Sequence, residues 1–120
     1  IENHVSFIYE DICRQHLMAL SLANRLEINL LKVGRWWDKT SKIDIVGMNE
    51  NNTGMIFGEC IYTGQPVDAD TYFQLIEKSK RVASDPRTQY HYILFSQSGF
   101  SATLQQMAKG RDHLYLAVVP

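Results

Sequence analysis

Cysteine, long apolar runs and surplus charge are all scarce in these 120 residues. The two cysteines, Cys13 and Cys60, are far apart in the chain. They form neither a zinc pattern nor a disulfide framework. Reduced thiols in a cytoplasmic protein are the expectation. No apolar run approaches the ~18 residues a membrane span needs, so no membrane partner is expected. Ile1-Glu2-Asn3-His4 lacks the basic start and apolar core of a secretory signal. Twelve Lys and Arg against 13 Asp and Glu leave a net charge of -1. Global attraction to nucleic acid is thereby excluded, and any such binding needs a local patch. Internal repeats and low-complexity tracts are absent. The length is that of one domain and excludes a multidomain enzyme within these residues. A hydrophobic share of 45% is too high for a disordered chain.

What is present reads as alternating elements. Val5, Ile8, Ile12, Leu17 and Leu20 recur at helical spacing and predict a helix over about 4–26. Residues 30–37 have strand-like character, and Asp38 to Ser41 form a polar turn. Lys42–Gly47 is rich in β-branched residues and predicts a strand. Asn49 to Gly54 is a turn signal, so Met55–Tyr62 becomes the hairpin partner. Asp68 or Asp70 caps a helix carrying Tyr72, Leu75, Ile76, Ser79 and Val82 on one face. Residues 90–96 are nearly continuously apolar, as in a buried central strand. A short helix near 101–109 and a last strand over 113–119 follow. This order predicts an α/β domain with a mixed sheet, antiparallel where turns join the strands and parallel where helices do.

Two acids lie inside strand-like runs. Regular alternation puts Ile43 and Ile45 on one face and Asp44 on the other with Lys42 and Val46. It groups Glu59 with Met55, Phe57 and Ile61. A carboxylate flanked by apolar groups loses hydration and needs a partner. If the register brings Asp44 near Glu59, a divalent cation relieves their repulsion, and Mg²⁺ takes one or two carboxylates while keeping several waters. The plainer alternative is that each acid sits solvated at a strand end or pairs with a nearby Lys or Arg.

Several segments carry a family likeness in order: Gly34-Arg35-Trp36-Trp37, Lys42-Ile43-Asp44-Ile45-Val46, Phe57-Gly58-Glu59-Cys60, and Tyr92 through Phe100. Together they resemble the C-terminal domain of archaeal-type P-loop ATPases. That domain is of undefined function and is similar to the PD-(D/E)XK nuclease superfamily. The resemblance covers nearly the whole chain. It implies a PD-(D/E)XK nuclease-like mixed β-sheet flanked by helices. It also implies an N-terminal ATPase domain in the same chain, which fits a sequence that does not begin with Met. The ATPase phosphate loop itself (Gly-x4-Gly-Lys-Ser/Thr) does not occur in these residues.

The resemblance implies roles residue by residue. Glu10 is the acid of the first helix, Asp44 that of the second strand, and Glu59-Cys60-Ile61 stands at the D/E-x-K of the third strand. Asp44 and Glu59 then hold Mg²⁺ or Mn²⁺, and Glu10 completes or orients the site. Where the superfamily has lysine, this chain has Ile61. Isoleucine keeps the strand but cannot donate a hydrogen bond. By analogy with losing one oxyanion donor, this costs on the order of 10²–10³ in rate. Lys42, two residues before Asp44, and Lys78, on the helix after the third strand, are the candidate replacements. Two functions follow: Mg²⁺-dependent phosphodiester hydrolysis in a DNA-associated domain of an ATPase, or a catalytically inactive module that binds nucleic acid or protein and regulates that ATPase. A scaffold without a nucleic-acid role is a third.

Other residues are weighed against plainer roles. Trp36 and Trp37 either stack on exposed bases or, as strand alternation favours, put one ring into the core and the other over a helix or a partner domain. Lys78, Lys80 and Arg81, with Lys39, Lys42 and Arg35, either line a phosphate-binding edge or form a solvated face. His4, His16, His91 and His113 have no ligand spacing. Cys13 and Cys60 read as buried small apolar residues. Ser96, Ser98 and Ser101 lack the Gly-x-Ser-x-Gly elbow of a serine hydrolase.

Overall fold

The β-branched runs and the turns between them build one five-stranded sheet of order β1-β2-β3-β4-β5 in a computed structural model. It describes residues 2–120, with side chains from residue 7 onward; the side chains of His4 and Val5 therefore lie outside the described residues. The strands are β1 (Lys32–Trp37), β2 (Lys42–Met48), β3 (Gly54–Ile61), β4 (Gln89–Ser96) and β5 (Leu114–Val118). Short turns make β1-β2 and β2-β3 antiparallel, and helical crossovers make β3-β4 and β4-β5 parallel. Helix α1 (Glu2–Leu22) covers one face; α2 (Ala69–Ser79) and α3 (Ala102–Lys109) cover the other. Each face has its own core. Tyr9, Cys13, Leu17, Ile45, Ile56 and Ile93 fill the α1 side, and Phe57, Tyr72, Leu75, Leu94 and Leu104 fill the α2–α3 side.

The α1 stripe differs from the expected one. Tyr9, Cys13 and Leu17 are buried at i, i+4 spacing, and the Tyr9 hydroxyl donates to the Val119 carbonyl at 2.8 Å. Ile8 and Ile12 lie on the exposed flank. The helix also stops four residues early. Asn24 takes a left-handed φ of 57°, its N–H bonds the Ser21 carbonyl, and the Arg25 N–H bonds the Leu20 carbonyl. That Schellman arrangement satisfies the last carbonyls and ends the helix. At α2 the cap is Asp68, which accepts from the Ala69 N–H at 2.7 Å and from the Ser101 hydroxyl at 2.7 Å. Ser101 itself caps α3 through Leu104 N–H.

Strand β2 breaks the regular alternation expected for it. Gly34 pairs with Val46 and Trp36 with Ile43, so Asp44 and Ile45 together face the single residue Arg35. This is a β-bulge, with the extra residue on β2. Ile43 consequently packs in the α2–α3 core and Ile45 in the α1 core, instead of sharing a face. The regular β2-β3 ladder ends at Ile45 and Gly58. Past that point the Cys60 N–H donates to the Asp44 carboxylate at 3.0 Å. The bulge therefore re-aims the acid toward β3.

Candidate functional site

Four elements meet at the end of the sheet where β2 begins and β3 finishes. Helix α1 supplies Glu10 and Arg14, one turn apart. Strand β2 supplies Lys42 and Asp44, β3 supplies Glu59, and α2 supplies Lys78. The Lys42 ammonium donates to Asp44 Oδ1 at 2.6 Å and stands 3.9 Å from Glu10 Oε2. The Lys78 ammonium donates to Glu59 Oε1 at 2.9 Å. Arg14 Nη1 lies 3.7 Å from Glu10 Oε1 and donates to the Asp44 main-chain carbonyl at 3.2 Å. Arg35 Nη1 reaches Glu10 Oε1 at 4.0 Å. The five residues that the resemblance singled out thus stand together.

The sequence reading did not single out Arg14 or the Cys60 amide. Its i, i+4 spacing from Glu10 was the available signal for Arg14. The amide carried none, since it follows from the bulge. Ile61 packs with the α2–α3 core, and Lys78 enters from that same side. Lys80 and Arg81 do not join the cluster. Lys80 pairs with Glu77 at 2.7 Å and Arg81 with Asp38.

The three acids are almost fully removed from water: Asp44 is 4% exposed, Glu10 6% and Glu59 8%. Burial pushes the Glu59 carboxyl up to about 8, and the neighbouring Asp44 adds to the rise, against the opposing Lys78 ammonium. Burial also opposes ionisation of Asp44. Hydrogen bonds with Glu59, Lys42 and the Cys60 amide outweigh it and hold Asp44 below the ordinary carboxylate value. The pair thus divides the labour, Asp44 ionised and Glu59 retaining a proton at neutral pH. Glu10 is raised by burial and by Asp44, with Lys42, Arg35 and Arg14 opposing. Burial depresses the Lys42 ammonium, but Asp44 and Glu10 outweigh that and raise it.

This donor set fits a hard dication. Both carboxylates offer only oxygen and lie buried side by side, with the Lys42 and Lys78 ammoniums opposite them. Among the described residues no group of three or more His, Cys, Asp and Glu forms a ready-made cage. Asp44 and Glu59 are the two carboxylates that could reach a cation there. On the α1 side of β3, Cys60 packs against Cys13. A hydrogen bond with Cys13 and burial push the Cys60 thiol up, so it is no nucleophile at neutral pH. Cys60 is only partly buried, unlike Cys13. No helix among the described residues is long and apolar enough to cross a membrane.

Solved structures share this architecture. A repair endonuclease from Pyrococcus abyssi matches 72% of this chain and 38% of its own, at 9% identity and a TM-score of 0.50. EndoMS in a complex with double-stranded DNA matches 89% of this chain and 43% of its own, at 8% identity and a TM-score of 0.51. The fold is accordingly nuclease-like: a mixed sheet flanked by helices. By sequence, the Uncharacterized protein MJECL04 of Methanocaldococcus jannaschii is 31% identical over 94 residues, 76% of this chain. The chain spans only 21% of that relative's length. The family described as Archaea bacterial proteins of unknown function, DUF234, matches over residues 1–81, and the chain belongs to it.

Proposed function

We propose that this domain is DNA-associated and carries out metal-dependent phosphodiester hydrolysis. One observation carries the reading: Glu10, Asp44, Glu59, Lys42 and Lys78 converge from four elements at the bulged end of the sheet. Asp44 and Glu59 would hold Mg²⁺ or Mn²⁺, which supplies a water of lowered pKa and neutralises phosphate charge. Asp44, fixed by the Cys60 amide, is the standing anion of the site. Glu59 would hold the cation as a carboxylate, its proton released on binding. Lys78 supplies the amine missing at Ile61, since its ammonium already contacts Glu59 from that side of the sheet. Lys42, with Arg14 and Arg35, balances the charge of Glu10 and Asp44. The far greater length of the Methanocaldococcus relative supports one further reading. These residues would form one domain of a longer chain; an ATPase module as its neighbour is what the family resemblance implies.

The test is cleavage of end-labelled DNA with Mg²⁺ or Mn²⁺ supplied. Asp44→Ala combined with Glu59→Ala is expected to abolish metal-dependent cleavage. Lys78→Met should cost on the order of 10²–10³ in rate. Cleavage by the double variant equal to wild type would sink the assignment of the site. Unchanged cleavage by the lysine variant would remove Lys78 alone from it.

A second reading has its own observation. The Lys42 and Lys78 ammoniums already contact Asp44 at 2.6 Å and Glu59 at 2.9 Å. Internal cations then do the work of a metal, and the domain binds nucleic acid or protein without cutting. It predicts DNA retention that survives the double substitution and weakens with salt.

A further inference from the structure

Strand β1 is an edge of the sheet, and its two tryptophans part company there. Trp36 packs against the α2–α3 core, whereas Trp37 is 65% exposed. Alternation puts Arg35 and Trp37 together on the opposite side. The Arg35 guanidinium lies 5.4 Å from the Trp37 ring centroid and 5.2 Å from that of Phe7 on α1. Phe7 is itself 50% exposed and precedes Glu10 by one helical turn. Arg35 thus joins two exposed aromatic rings and a carboxylate of the candidate site.

Neither ring belongs to a core. Both leave apolar area in water, and a cation is held against them. Lys42, which pairs in register with Trp37, has a side chain 58% exposed, while the acids it serves are buried. The rim therefore presents flat apolar rings together with positive charge. A polyanion that carries flat rings matches both features. In a duplex the faces of the bases are already stacked on each other. Only an unpaired base offers a free face.

We infer that Trp37 and Phe7, each with one face covered by Arg35, use their outer faces to stack unpaired nucleobases, with Arg35 between them placed to take the adjoining phosphate, so that the ligand is a single-stranded or locally unpaired strand. The inference rests on the nucleic-acid reading above and names its substrate class. A strand held on this rim passes directly by Glu10 and the carboxylate pair.

Binding is measured without metal, so that cleavage plays no part. The probes are a fluorescein-labelled oligothymidylate and a blunt duplex of equal length, read by anisotropy. The single strand is expected to bind more tightly. Trp37→Ala and Phe7→Ala should each weaken it roughly tenfold to a hundredfold, since stacking is worth about 1–3 kcal/mol per base. Duplex binding should hardly change. Trp37→Phe should restore most of the loss, which a merely electrostatic rim would not require. Equal affinity for both probes with no effect of Trp37→Ala overturns the platform and leaves DNA association standing. Binding to neither probe overturns the platform and the DNA reading together. A change of oligomeric state in Trp37→Ala with unaltered oligonucleotide affinity makes the rim a protein interface and also overturns it.

Discussion

Glu59→Gln should flatten a fall in stability that the wild-type domain shows as pH rises from about 5 to about 8. The sign follows from the shifted carboxyl. Folded Glu59 keeps its proton up to about 8, whereas the unfolded chain releases it near the ordinary value of 4.5. Between those limits the native state binds more protons, so stability drops with rising pH. Each unit in that window is worth at most about 1.4 kcal/mol, and the whole effect is on the order of a few kcal/mol. Glu10, raised by burial and Asp44, adds a slope of the same sign. Asp44, held below 3.8, acts the other way and lower down, losing its contribution as pH falls through its depressed value. Glutamine keeps an oxygen for Lys78 but has no proton to lose. Urea unfolding at about pH 5 and about pH 8 measures the difference. Equal wild-type stability at both would mean that Glu59 is ionised throughout and paired with Lys78. The same proton couples to metal: Mn²⁺ binding should strengthen with pH up to about 8, as cation and proton compete for one carboxylate.

Gly58→Ala should be the costliest single-atom addition in the sheet. A Cβ at Gly58 would lie 2.9 Å from Ile93 Cγ2, 3.1 Å from Ile45 Cβ and 3.2 Å from the Ile93 carbonyl oxygen. Branched side chains on two neighbouring strands and a main-chain oxygen of the parallel ladder are poor candidates for retreat. Overpacking of this kind costs about 1–3 kcal/mol. For a domain of this size the melting temperature should fall by about 4 °C per kcal/mol. Gly58 also adjoins Glu59, so relief by shifting β3 would pull that carboxylate from Lys78 and Asp44. Calorimetric melting and Mn²⁺ titration of the variant separate the two effects. A melting point equal to wild type would show that β3 and β4 have slack the distances deny.

Much of the architecture was legible because its signals are local. The Asn49 to Gly54 turn and the β-branched runs on either side announced the hairpin. The helical stretches between later strands announced the parallel pairs. The end of α1 was misjudged because its stop is a left-handed Asn24, which no hydrophobic spacing reveals. The bulge was invisible for a different reason. Counting by twos along β2 assumes an unbroken pleat, and the extra residue appears only when Arg35 on the partner strand is set opposite it. Glu10 was legible only through the family likeness, whereas Asp44 and Glu59 also stood out as acids inside strand-like runs, Glu59 among apolar neighbours. Lys78 stood as one of two candidate amines. Its contact with Glu59 depends on how α2 packs, which spacing within the helix does not fix. The contact between Cys13 and Cys60 spans helix and sheet and was equally out of reach.

The switch of sides at Asp44 has a consequence for how the domain comes apart. A strand that donates Ile43 to one core and Ile45 to the other stitches the two layers together. Loosening α1 disturbs the seat of Ile45, and the strain passes over two peptide bonds to Ile43 beneath α2. Neither helical layer should then peel away as an independent foldon. The buried acids sit at that stitch, so their shelter from water lasts as long as both layers stay closed.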